Sequence, residues 1–247
     1  MPASLRPGRI ALVDLARSAA LLGMAIFHFT FDLELFGHLP PGTTAWPGFW
    51  AVFARTVAGS FLFLSGVSLF LAHGDGIRWR AFLHRLGRVA GAAALISLAT
   101  YMAMPEQYVF FGILHAIALY SILGLAFLRW PPFALVVMAL AFYAGRGLLS
   151  DPAFAAPWLL WTGLSPFPPL TADFEPLFPW FGTVLLGIAT ASATRRMGLA
   201  DRLAAWPARP GRWLGRLTWP GRHSLVLYLI HQPVLLGLVA GFTWAFG

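Results

Sequence analysis

Seventeen basic side chains, every one an arginine, punctuate a 247-residue chain, and nearly all of them fall between long apolar runs and on the same side of them. A chain patterned this way folds with lipid as part of its solvent. Crossing about 30 Å of hydrocarbon takes roughly 20 mostly apolar residues in a helix. Seven such runs are readable, at 10–35, 49–72, 87–104, 109–128, 132–149, 176–194 and 223–246. With 59% hydrophobic and only 11% charged residues, a water-soluble domain of this length is excluded. The expected fold is all-α: a polytopic integral membrane bundle of about seven transmembrane helices, read as one domain over residues 1–247.

The charges orient it. Arg6 and Arg9 precede the first run, Arg78, Arg80, Arg85 and Arg88 follow the second, and Arg129 follows the fourth. Arg195, Arg196, Arg202, Arg209, Arg212, Arg216 and Arg222 follow the sixth, so fourteen arginines share one side and Arg146 alone lies opposite. Under the positive-inside rule this predicts a cytoplasmic N-terminus in a multi-pass protein of the cell's inner (plasma) membrane. Topology and contact with anionic lipid account for the net charge of +8, and no nucleic-acid partner is needed.

The first run is too long for a secretory signal, carries Asp14 and Arg17, and lacks a small-residue cleavage site, so it reads as a retained helix. With no cysteine, thiolate chemistry, disulfides and Cys-ligated metal are out of reach. Catalysis falls to His, Asp, Glu, Arg or hydroxyl groups. The segment 150–175, rich in Pro and Trp and free of arginine, suits a loop folded over the outer mouth, whereas 195–222 has the Leu, Trp and Arg spacing of a short amphipathic helix on the inner leaflet. Glycine-rich helices permit close packing within one chain or between copies, so a homo-oligomer is compatible with the sequence.

Charge inside a membrane helix costs at least a few kcal/mol and marks functional candidates. In the first run Asp14, Arg17, His28 and Asp32 are spaced by three, eleven and four residues, which at about 100° per residue confines them to a sector roughly 60° wide. Glu34 falls on the opposite face. Asp14 and Arg17 form an i,i+3 pair whose plainest role is a salt bridge at the helix start. His28 and Asp32 form an i,i+4 pair in the outer half of the membrane. Its carboxylate can fix the imidazole tautomer, as a general base requires; equally, His28 can be a core histidine satisfied by a carbonyl.

Other runs add Arg55, His115 and His231. By depth, His115 is expected near the level of His28, while His231 lies about two turns from the inner end of the last run. Asp173 and Glu175 stand at the outer entrance to the sixth run, where with Trp180, and with Asp14 on the stripe, they are candidate substrate contacts. Each of these residues alone is more often structural than catalytic. The spacing of His28, Asp32 and His115 matches no familiar metal motif, so no metal is expected, and nothing suggests a redox cofactor.

Five segments, RIALVDLARSAALLGMAIFHFTFDLELFG, GSFLFLSGVSLFLA, GILHAIALYSILG, ADFEPLFPWFGTVLLGIA and LGRLTWPGRHSLVLYLIHQPVL, together cover both ends and the middle of the chain. In combination they resemble the bacterial heparan-alpha-glucosaminide N-acetyltransferase-like proteins, part of a wider transmembrane acyltransferase superfamily. An arginine followed eleven residues later by a histidine marks the first helix of that superfamily, matched here by Arg17 and His28. The resemblance implies a helical bundle that takes an acyl group, usually acetyl, from cytoplasmic acyl-CoA and passes it to a sugar on the outer side, with His28 catalytic. The lysosomal member has an amide-bearing residue at the His28 position and a histidine in the loop beyond the helix, whose nearest match is His38. His28 is favoured because Asp32 stands beside it. Many relatives carry Gln-Arg where this chain has Leu114 and His115. The chain is also shorter than the lysosomal enzyme, so heparan itself is not carried over as a substrate.

The reading that results is a transmembrane acyltransferase. Its acetyl-CoA or other acyl-CoA binds Arg78, Arg80, Arg85, Arg88 and Arg222 through its phosphates, because guanidinium forks match phosphate oxygens. Arg17 or His231 stabilises the oxyanion. His28, oriented by Asp32, deprotonates a sugar-like hydroxyl or amine entering beneath Trp158 and Trp161. Two alternatives stand beside it: a small transporter or proton-coupled carrier that uses the same stripe, and a non-catalytic lipid-binding or assembly factor.

Overall fold

The computed structural model describes residues 10–45, 47–206 and 211–246; of the arginines counted above, Arg6, Arg9 and Arg209 lie outside the described residues. Nine α-helices are found among the described residues: α1 (Ala11–Leu35), α2 (Phe49–His73), α3 (Trp79–Ala103), α4 (Ile113–Leu125), α5 (Pro132–Leu148), α6 (Leu177–Arg196), α7 (Leu199–Ala205), α8 (Arg212–Arg222) and α9 (Ser224–Phe246). One isolated bridge pairs Phe111 with Phe174. Five helices, α1, α2, α3, α6 and α9, are long and apolar enough to cross a membrane, and α4 and α5 are shorter apolar helices. The protein is an all-α, multi-pass membrane bundle.

Two of the expected runs are redrawn. The run expected to begin at 87 begins at Trp79, because Arg80, Arg85 and Arg88 stay in the helix: a long side chain carries its charge to the boundary while its backbone remains helical. The run expected over 109–128 yields a helix of only 13 residues, about 20 Å at 1.5 Å per residue. Its beginning is diverted into pairing with the loop before α6, where Glu175 N–H donates to Phe111 O at 3.1 Å. Its end tightens into short turns, with Ala126 N–H on Leu123 O at 3.1 Å.

The chain forms two compact units, a central one of Leu62–Leu199 and a terminal one made of Met1–Phe61 and Ala200–Gly247. In the central unit α2 and α6 cross at two glycines. A Cβ on Gly66 would stand 2.1 Å from Val184 O, and one on Gly187 would stand 2.1 Å from Phe63 O. Only hydrogen side chains allow these backbones to touch, which is how membrane helices gain dispersion contact where lipid removes the hydrophobic drive. Tyr120 and Phe181 are fully buried nearby, their rings 5.5 Å apart, and the Tyr120 hydroxyl donates to Glu175 O at 2.7 Å.

In the terminal unit α1 packs along α8 and α9. Gly221 lies directly on α1, since a Cβ there would be 2.0 Å from Asp14 O. Its N–H donates to Ser18 Oγ at 2.8 Å, and Ser18 Oγ in turn donates to Asp14 O at 3.1 Å. Val239 is the one residue of α9 buried in the described structure, which leaves most of that helix to lipid.

Candidate active site

The polar stripe of α1 resolves into two separate nodes. At the start of the helix Asp14 is only 1% exposed and faces two arginines: Arg17 Nη1 stands 3.4 Å from Oδ1, and Arg222 Nε stands 3.6 Å from Oδ2. This is the salt bridge expected of the i,i+3 pair, widened by an arginine from the end of α8. A buried carboxylate is tolerable with two cations at its two oxygens. Arg222, a sequence candidate for CoA phosphate, thus spends its Nε on Asp14, and Arg17 lies about 16 Å along the helix from His28.

Further along α1, His28 and Asp32 meet His231 and Gln232 of α9. The His28 and His231 rings are edge to face with centroids 4.9 Å apart. Gln232 Nε2 donates to Asp32 Oδ1 at 2.8 Å, and Asp32 is fully buried. The expected Asp32–His28 hydrogen bond is not formed among the described residues: the carboxylate is turned across the helix interface to Gln232. His231, expected from the sequence at an inner depth, instead sits level with His28. The reason is that α8, not α9, occupies the level of Asp14, so α9 begins already inside the bundle.

Among the described residues, three buried atoms in this cluster have no hydrogen-bonding partner within the chain: Asp32 Oδ2, His231 Nε2 and Gln232 Oε1. His231 Nδ1 lies 2.6 Å from Tyr228 O. A carbonyl only accepts, so Nδ1 carries the proton and neutral Nε2 presents a lone pair. Among the described residues the cluster therefore offers three acceptors whose hydrogen bonds are unmade, a demand that an O–H or N–H group of a ligand meets. Sequence reasoning passes over Gln232, because a search for charge ignores an amide; its adjacency to His231 inside an apolar helix is the available signal.

The other sequence candidates are placed elsewhere. His38 is exposed beyond α1, with Nε2 2.7 Å from Thr243 Oγ1. In the central unit both nitrogens of His115 are occupied: Gly112 N–H donates to Nδ1 at 3.3 Å, and Nε2 donates to Ser97 Oγ at 3.1 Å, which passes its own proton to Val109 O at 2.6 Å. Asp173 Oδ2 accepts from Ile113 N at 2.9 Å, so His115 and Asp173 together cap the start of α4. Burial pushes the Asp173 carboxyl above the usual aspartate range, against the opposing pull of the Ile113 and Phe174 N–H groups. Glu175 is buried through its backbone bonds to Phe111 and Tyr120, and Trp180 is half-buried on α6. Trp161 lies 6.2 Å from Phe111 within this loop, Trp158 is exposed, and Arg55 is exposed on α2.

Of the arginines around the start of α3, Arg78, Arg80 and Arg88 are exposed, and Arg78, Arg80 and His84 line an open surface depression. Arg85 donates to Ser121 Oγ at 3.3 Å. Among the described residues no group of three His, Asp or Glu side chains is arranged to hold a metal ion.

The model of one protein family, heparan-alpha-glucosaminide N-acetyltransferase, catalytic, matches residues 9–233. The chain belongs to this family. The match runs from α1 through His231 and Gln232 and takes in both units. No curated protein and no solved structure matches the chain. Membership makes it a membrane protein of an acetyltransferase family, and it leaves donor, acceptor and catalytic residues to be argued from the site.

Proposed function

We propose that the whole chain, 1–247, acts as one integral membrane acyltransferase domain. It moves an acetyl group from acyl-CoA on the arginine-rich, cytoplasmic side of the inner membrane to a sugar-like hydroxyl or amine reached from the outer side. The observation that carries this reading is the set of unmet buried acceptors on Asp32, His231 and Gln232 beside His28, within a chain of this family.

In this scheme the acceptor's O–H or N–H lies against His231 Nε2, whose lone pair is set by the Tyr228 carbonyl, and its remaining donors are met by Asp32 Oδ2 and Gln232 Oε1. The proton passes to Nε2 as the acceptor oxygen or nitrogen attacks the thioester carbonyl. The C–S bond then breaks, and the departing thiolate takes the proton back from the imidazolium. His28, in edge contact with His231, is the second imidazole at the reacting centre. The exposed guanidinium groups of Arg78, Arg80 and Arg88 are the candidates for the CoA phosphates. Arg85 and Arg222 already hold side-chain partners within the chain, and Arg78 gives its Nε to Ala72 O at 3.1 Å, which leaves its terminal nitrogens exposed.

The test is acetyl-CoA binding and slow thioester hydrolysis by purified protein, with wild type beside His231→Ala and His28→Ala and thermal stability measured on all three. Binding with turnover in wild type, and binding without turnover in a stably folded His231→Ala, is the expected result. If wild type does not bind acyl-CoA, the donor half of the scheme is wrong, and the same cluster is better read as the proton relay of a carrier.

A further inference from the structure

We propose that the face of α8 turned away from α1 is a docking surface for anionic phospholipid headgroups. The inference is independent of the catalytic scheme. On this 11-residue helix Leu214, Thr218 and Gly221 recur at i, i+4 and i+7 and form the side that faces α1: Thr218 and Gly221 are buried and Leu214 is half-buried. The same periodicity places Arg212, Arg216 and Trp219 on the opposite side, with Trp213 and Leu217 on its flank.

That opposite side stands clear of the protein. Trp213 is 74% exposed, Leu217 58% and Trp219 53%. Among the described residues neither Arg212 nor Arg216 has an ion pair, and the Arg216 guanidinium lies over the Trp213 ring, 5.2 Å from its centroid. Depth decides what meets it. Gly221 is fastened to Asp14 and Ser18, in the first two turns of a 25-residue membrane-crossing helix, within about 12 Å of its end. A helix held at that level has its outward face in the headgroup layer. Indole rings favour that layer, leucine reaches the acyl boundary, and guanidinium groups meet phosphate. An apolar partner protein would leave the two unpaired arginines buried, so the charge complement favours anionic lipid.

The experiment reconstitutes the whole protein in nanodiscs of phosphatidylcholine alone or of phosphatidylcholine mixed with phosphatidylglycerol, and compares wild type with the double variant Arg212→Gln, Arg216→Gln. Phosphatidylglycerol should raise the wild-type melting temperature, and the double variant should lose about 2–4 °C of that rise while melting with wild type in phosphatidylcholine. An undiminished rise in the variant overturns the proposal. Acetyl-CoA added to the phosphatidylcholine discs serves as a separate arm. If the variant loses a stabilisation by acetyl-CoA and keeps the one by phosphatidylglycerol, the two arginines serve the donor and the proposal fails. If the double variant does not fold, brominated lipid gives the answer on Trp213→Phe. Brominated phosphatidylglycerol should quench wild type more than brominated phosphatidylcholine does, and Trp213→Phe should lose that excess; equal quenching by both lipids overturns the proposal.

Discussion

Gln232 of α9 donates a 2.8 Å hydrogen bond to the fully buried carboxylate of Asp32 on α1, across 200 residues of sequence. This polar contact between two predominantly apolar helices helps fix their register, because sliding either helix by one residue strands a carboxylate in the bundle.

Replacing Gln232 by Leu should therefore destabilise the protein by about 1–2 kcal/mol, the cost of leaving a buried acceptor unmet. In the double variant Asp32→Leu, Gln232→Leu the losses should fall well short of additive. Thermal unfolding of the four proteins of that cycle measures the coupling, and strictly additive losses would show that the bond contributes nothing.

The Gly221 contact gives a matched pair of substitutions on one helix. Gly221→Ala places a methyl against the Asp14 carbonyl and should cost about 1–3 kcal/mol, since backbone cannot move aside as a side chain can. A Cβ on Gly215, in the middle of the same helix, meets nothing within 4 Å, so Gly215→Ala should gain about 0.5–1 kcal/mol from helix propensity. Melting temperatures of the two single variants should move in opposite directions.

At the paired imidazoles, His231→Ala should lower turnover of acetyl-CoA by about 10²–10⁴-fold with little change in melting temperature, the range expected when a positioned base is lost. His28→Ala should give a smaller loss, because no hydrogen bond from the described residues sets the tautomer of its ring. Equal losses would identify the two rings as one catalytic unit.

Asp173 links the loop before α6 to pH. Its folded-state pKa is raised by burial above the ordinary aspartate value of 3.8, so the folded protein keeps a proton that the unfolded chain has already released. The associated stability is fully present below 3.8 and is lost as pH rises through the raised folded value. Asp173→Asn keeps an acceptor for Ile113 N–H and removes the titration. Its melting temperature should be flat across that window while the wild type's declines with rising pH.

Much of this is legible in the chain. Apolar runs separated by arginine follow from the cost of placing charge in hydrocarbon, and Asp14, Arg17, His28 and Asp32 share a face because the helical repeat puts them there. The Asp14–Arg17 contact is local, so spacing alone reveals it. The start of α3 is hidden, because a helix whose arginines reach outward has the composition of a loop. The role of His115 is hidden too, since the Gly112 contact to its Nδ1 is local but the Ser97 hydroxyl on its Nε2 arrives only when α3 and α4 pack.

By itself, then, the sequence determined solvent, the existence of the apolar helices, the family and the polar face of α1, consequences of composition, of local spacings and, for the family, of segments spread along the chain. Tertiary structure alone decided that Asp32 turns to Gln232, that His231 and not a carboxylate accompanies His28, and that Arg222 belongs to Asp14. Those pairings join the two ends of the chain. They depend on how deep α9 sits, and that depth is set by the backbone contact of Gly221 with α1, which no periodicity within a single helix encodes.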